Sequence, residues 1–151
     1  MHTEKQFTIF MINKPGVLSM LLAEFANAKI NVIALTVMDS AEHGVLRVVA
    51  VAPEKMRKVL AKLNMQYDET EVLCVNLANK SGAFAAITEK LAKAHVNISY
   101  AYCTAGARGG KTTGILKVSG IEKAMKILSG TTKKSQTKSK PTTRLSPASR
   151  K

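Results

Sequence analysis

The sequence predicts an α+β protein: two strand–helix–strand–strand–helix–strand (βαββαβ) sandwiches in tandem, followed by a disordered basic C-terminal tail. Three observations predict it. The stretch "NKPGVLSMLLAEFANAKINV" at residues 13–32 returns without a gap as "NKSGAFAAITEKLAKAHVNI" at residues 79–98, 66 positions on. Strand-like runs and helix-spaced apolar residues surround each copy in the same order. After Leu128 the apolar content collapses, leaving Leu145 and Ala148 as its only clear members.

The elements follow in order. "QFTIFMI" is rich in β-branched and aromatic residues and opens the chain as a strand. Pro15-Gly16 makes a turn, with proline well placed just ahead of a helix. Over residues 17–28, Leu18, Leu21, Leu22 and Phe25 fall on one helical face. "INVIALTVM" and "VLRVVAV" are strands around the polar hairpin "DSAEHG". Pro53 starts a second helix, with Met56, Val59, Leu60 and Leu63 at the same spacing, and a short extended piece at residues 66–70 closes the first half. The second half repeats the order: "VLCVNLA" as strand, then a helix faced by Phe84, Ile87, Leu91 and Ala94. "VNISYAYC" and "GILKVSG" flank the loop "TAGARGGKTT", and a last helix carries Ile121, Ala124, Met125 and Leu128. Where a closing strand is due, the chain reads "SGTTKKSQTKSK", so the second copy is expected to lack it.

Such a unit packs economically as a ferredoxin-like sandwich, an antiparallel sheet with both helices on one face and right-handed crossovers. The expected boundaries are residues 1–70, 71–128 and a tail at 129–151. Modules of about 65 residues are marginal alone and lean on each other or on a second chain. Each sheet keeps one bare face, so sheet extension or face packing between units is expected.

Composition narrows the function. The chain has 151 residues, 46% of them hydrophobic, enough for a core. It contains no 18-residue apolar run to span a bilayer, and its N-terminus reaches a strand with no signal-peptide layout. Cys74 and Cys103 are too few for a disulfide framework or a metal site, which makes cytoplasm the default compartment. Of the net charge of +13, seven units sit on residues 129–151, which hold no acid. That tail lacks an aromatic residue for base stacking, so it reads first as a solvated segment and second as a contact to nucleic acid or another polyanion.

Enzymatic readings find little. "AGARGGKT" at residues 105–112 fits a relaxed phosphate-loop pattern but runs into a strand, whereas a working loop needs a helix N-terminus behind it. His2, His43 and His95 have no metal-site spacing. No nucleophile and base assemble from local signatures, and no cofactor is called for.

The repeated turn carries the sharper reading. Asn13/Asn79, Lys14/Lys80, Gly16/Gly82 and Asn31/Asn97 are identical between the copies. Folding alone accounts for them: glycine permits the turn, and asparagine closes turns and helix ends. A ligand accounts for them too. Backbone N–H groups from Gly16 to Leu18 at a helix start favour a carboxylate, and an asparagine amide takes an ammonium or a carboxylate. Asn13 at the turn and Asn31 at the next strand are expected to face each other and hold the two ends of a zwitterion, such as a free amino acid.

At these residues the sequence resembles the ACT domain family, small regulatory modules that commonly bind amino acids. "NKPGVLSMLLAEFANAKINVIAL" with its preceding strand matches one unit, and "VNLANKSGAFAAITEKLAKAHVNISYAY" a more divergent second. Together they cover residues 6–128, and the whole is similar to stand-alone tandem ACT proteins. The resemblance implies a non-catalytic module with ligands held between units. Asn13, Pro15, Gly16, Val17 and Asn31 occupy the family's positions in the first copy, and Asn79, Gly82, Ala83 and Asn97 in the second. A homodimer is also expected. With no catalytic or DNA-binding domain recognised in these residues, a regulated target is expected to be a separate chain. With no spanning run, no membrane partner is expected. Two departures stand out: Ser81 in place of the proline, expected to loosen the second turn, and Met11, which brings no polar group toward a ligand. The rival reading is a structural dimerisation module whose basic tail contacts a polyanion.

Overall fold

The computed structural model describes residues 1–39, 43–104 and 110–130. Its elements are β1 (His2–Ile12), α1 (Val17–Asn27), β2 (Val32–Asp39), β3 (His43–Ala50), α2 (Pro53–Lys62), β4 (Tyr67–Ala78), α3 (Ala83–Lys93), β5 (Ile98–Cys103), β6 (Lys111–Val118) and α4 (Ile121–Leu128). This is the predicted α+β class with its repeated strand and helix order. The expected tail falls almost wholly on residues 131–151, and the tip of the first hairpin and residues 105–109 of the phosphate-loop-like stretch also lie outside the described residues.

The strands form one sheet, ordered β2-β3-β1-β4-β6-β5, with every pairing antiparallel. The short piece at 66–70 and the run "VLCVNLA" were expected as separate strands. They are instead one twelve-residue strand, β4, and the expected boundary between residues 70 and 71 falls inside it. "YDETEVLCVNLA" contains neither glycine nor proline, so nothing in it turns the chain.

β1 and β4 are shared between the halves. Residues 6–12 of β1 pair with β3, while residues 2–9 pair with β4 on the other edge, from His2 opposite Cys74 to Ile9 opposite Tyr67. Lys5 faces Glu71, and these two are 66 positions apart, the spacing of the sequence repeat. A local two-fold axis therefore passes between them. The start of β4 serves as fourth strand to the first half, and the start of β1 serves as fourth strand to the second. The strand expected to be missing from the second copy is supplied by the first.

Residues directly opposite in an antiparallel pair share a face. Phe7, Ile9 and Met11 therefore lie on the same face as Leu73, Val75 and Leu77, and both helix pairs cover it. Leu21 and Phe25 of α1 and Met56 and Leu60 of α2 close one core. Leu91 of α3 and Ala124 of α4 close the other over Leu73, Val75 and Leu116. Each fully buried large side chain contributes about 1.5–3 kcal/mol. Both α1 and α3 end in the same way: Lys29 and His95 take positive φ, and the next residue, Ile30 or Val96, donates to the carbonyl five positions back, Phe25 or Leu91, at 2.9 Å. Such six-to-one bonds satisfy the last helical carbonyls.

The opposite face is concave. In a flat sheet β3 and β5 would stand about 19 Å apart, four spacings of about 4.8 Å. Here the Arg47 guanidinium of β3 lies 3.9 Å from the centroid of the Tyr100 ring on β5. The sheet has coiled until its wings meet, and Ala34, Val49, Val72, Cys74 and Ile115 form a third core between them. Sheet extension and face packing thus both occur. Among the described residues no helix is long and apolar enough to cross a membrane.

Candidate ligand site

The two strand-to-helix turns are built alike. In the first, Lys14 N–H donates to Ile12 O (3.0 Å), Val17 N–H to Lys14 O (3.3 Å) and Met20 N–H to Gly16 O (2.8 Å). In the second, Lys80 N–H donates to Ala78 O (2.8 Å), Ala83 N–H to Lys80 O (3.3 Å) and Ala86 N–H to Gly82 O (3.0 Å). Ser81 keeps the same three bonds as Pro15, so its turn is not loosened in shape. The Val17 and Ala83 N–H groups, expected to await a ligand, are already engaged, though by long bonds. Gly16 and Gly82 both adopt left-handed φ, +88° and +80°, with open space where a side chain would start. Gly16→Ala and Gly82→Ala are each expected to lose about 1–2 kcal/mol from backbone strain alone. Urea denaturation of the two variants checks this, and equal losses would show that the turns are energetically equivalent.

The strand asparagines lie elsewhere. Asn31 O accepts from Val51 N–H (3.2 Å), and Asn97 O accepts from Ser119 N–H (2.9 Å), so both close the far ends of hairpins. Ile12 faces His43 at the start of β3, whereas Val32 faces Ala50 at its end. Asn13 and Asn31 are therefore separated by the length of β3, about 25 Å at 3.3 Å per residue. Asn79 and Asn97 are separated in the same way along β6. The expected clamp of Asn13 and Asn31 on one zwitterion does not exist within a half. A strand-helix-strand crossover returns the chain to the end where it began, and that geometry parts the two residues.

The surroundings of the two turns differ. At the second turn a cleft of about 380 Å³ opens toward solvent. Leu77 and Phe84 line its apolar part, Asn79, Lys80 and Ala83 one side, and Cys103, Thr104 and Thr112 the other. No ion pair holds the Lys80 ammonium among the described residues. Burial pushes the Cys103 thiol above its usual range, so it lines the cleft as a neutral group. At the first turn three counterparts are bulkier or more apolar, Val17 for Ala83, Val37 for Cys103 and Met38 for Thr104, while Leu18 for Phe84 and Gly44 for Thr112 are smaller. Ile12 and Met38 stand 56% and 45% exposed there. Every exposed large apolar side chain among the described residues, from Met1 to Val51, belongs to the first half. Leu77, Phe84, Cys103, Thr104 and Thr112 had not been singled out from sequence. For Thr104 a signal was available, since the repeat register matches it with the larger, apolar Met38.

Among the described residues, no cluster of three or more His, Cys, Asp and Glu side chains is placed to hold a metal ion. Glu69 is held below the usual carboxylate range by its hydrogen bonds from Arg57, which also pairs with Glu54 on α2; this cluster lies at the α2–β4 contact, away from either turn.

A family model described as an ACT domain pair matches residues 2–136. No curated protein matches. Among solved structures, a protein from Bacteroides thetaiotaomicron is 28% identical with a TM-score of 0.78, covering 85% of this chain and 88% of that one. The ligand-free regulatory subunit of aspartate kinase from Thermus thermophilus is 13% identical, with a TM-score of 0.60 over 86% of this chain and 97% of that one. Aspartokinase III of E. coli, in complex with lysine and aspartate, is 15% identical with a TM-score of 0.55, over 85% of this chain and 30% of that one.

Proposed function

The chain belongs to the ACT domain pair family, and on that premise we propose that it is a non-catalytic regulatory module that binds a free amino acid and acts on a separate partner chain. The observation that carries this reading is the cleft at the second turn. It brings Lys80, Asn79 and Thr112 beside an apolar floor of Leu77 and Phe84, with the Thr104 hydroxyl at its edge accepting from Thr113 N–H at 3.1 Å. A small zwitterion needs that mixture: polar groups for its charged ends and apolar contact for its side chain. Gly82 and Ala83 belong to the same wall. Asn13, Pro15, Gly16 and Val17 form the matching turn of the first half, where the surroundings are apolar.

Asn31 and Asn97 join such a site when a second copy supplies them, since each lies far from the turn in its own half. A homodimer is the natural source. β2 is an edge strand with unpaired backbone groups and with Leu35, Val37 and Met38 exposed at 42%, 44% and 45%. Such an edge invites another strand. A ligand bridging two units shifts their arrangement only by its differential affinity for the two states.

A thermal-shift screen against the standard amino acids tests the reading. A ligand that binds only the folded chain adds about 2.7 kcal/mol at 100 times its dissociation constant. We expect one class of amino acid to raise Tm, and the Asn79→Ala/Lys80→Ala variant to lose that shift while Asn13→Ala keeps most of it. A flat screen at millimolar concentration would end the amino-acid reading.

A further inference from the structure

Gln6 is the one fully buried polar side chain among the described residues, and its two shorter hydrogen bonds reach the other half of the molecule. Its Nε2 donates to the Tyr100 hydroxyl at 2.7 Å, and its Oε1 accepts from the Tyr102 hydroxyl at 3.0 Å. Thr8 Oγ1 accepts a longer bond from the same Nε2, at 3.3 Å. Above them the Arg47 guanidinium covers the Tyr100 ring. Arg47 Nη1 reaches Met38 Sδ at 2.7 Å, while its Nε is buried without a hydrogen-bond partner.

We propose that this clasp of Gln6 and Arg47 on Tyr100 and Tyr102 sets the position of β5, and through it the width of the cleft at the second turn. The ligand part of this inference rests on the cleft being the amino-acid site. β5 is an edge strand of six residues that pairs only with β6, with a register shift between Ile98 and Tyr100. One hydrogen-bonded edge leaves it the least restrained wall of the cleft. Alternation along the strand then couples its two faces. Tyr100 and Tyr102 point to the concave side, Cys103 points to the helix side, and Cys103 with Thr104 lines the cleft. A shift of β5 that loosens the tyrosines moves the cleft wall with them.

The clasp also resists partial opening. A buried amide that loses one partner bears the desolvation cost of the exposed bond, so the Gln6 bonds break together or not at all. Burial pushes the Tyr102 hydroxyl well above its usual range, keeping it a proton donor to Gln6. None of these four side chains lines the cleft. Gln6 and Arg47 are thus positioning residues: first-half groups that govern a second-half site.

The test is hydrogen exchange and amino-acid affinity on the full-length chain, for wild type, Arg47→Met and the milder Tyr102→Phe. Amides of residues 98–104 are expected to exchange about tenfold faster in Arg47→Met and about threefold faster in Tyr102→Phe, with the β1–β4 ladder unchanged. Affinity for the amino acid found by thermal shift is expected to fall about fivefold in Arg47→Met. Unchanged exchange in both variants overturns the clasp whatever binds. Faster exchange with unchanged affinity overturns its control of the cleft. Faster exchange in a wild-type background that binds no amino acid upholds the clasp and sinks only the ligand reading.

Discussion

Removal of residues 1–5 is expected to destabilise the second half of the chain, although it begins some 60 positions away in sequence. The deletion takes out the pairs from His2 with Cys74 to Lys5 with Glu71, which lie beyond the reach of β3. About four ladder residues at roughly 1 kcal/mol per hydrogen bond give a loss of about 3–4 kcal/mol. Set against a typical total of about 5–15 kcal/mol, that is a large fraction. Urea denaturation should show the loss, and hydrogen exchange should place it in α3, α4 and the freed edge of β4. Stability equal to that of the intact chain would refute the assignment of β1 as fourth strand to the second half. Because β1 and β4 belong to both halves, unfolding is expected as a single transition and not as two.

The second large effect concerns the cleft. Ala83→Val together with Thr104→Met writes the first half's residues into the second, at positions the 66-residue register matches. Both substitutions add volume to the lining of a cleft of about 380 Å³. They are half-buried rather than core positions, so the fold should tolerate them with a change below about 1 kcal/mol. Amino-acid binding is expected to weaken by more than about tenfold, or 1.4 kcal/mol, as read by calorimetric titration. The matching substitutions at the first turn, Val17→Ala with Met38→Thr, should leave binding largely intact. Equal losses from both pairs would mean that both turns hold ligand and that the asymmetry between them is incidental.

The repeat itself was legible from a few residues. Asn-Lys-x-Gly at residues 13–16 and again at 79–82 announced two turns, and the structure gives them the same hydrogen bonds within 0.2 Å. The helices followed from spacing, because Leu21, Phe25, Met56, Leu60 and Leu91 must share a face to be buried. Glycine at positions 16 and 82 signalled left-handed backbone, a local property that a local pattern can carry. Lys29 and His95, in contrast, take the same backbone region with no glycine to signal it, at helix ends closed by the Ile30 and Val96 N–H bonds.

What a sequence determines alone is whatever acts over a few residues: the turn, the helix face, the strand alternation and the fact of duplication. Those were sufficient to name two α+β units and the asparagines at their turns. Partnership between strands 66 residues apart was decided only in three dimensions. β1 could reveal itself as the fourth strand of the second unit only once Lys5 lay opposite Glu71, because hydrogen-bond pairing leaves no local mark on either strand. The same holds for the distance between Asn13 and Asn31, which chain order places close and crossover geometry sets apart. It holds for Arg47 and Tyr100 as well, brought into contact by the accumulated coil of six strands, a property that no single strand possesses.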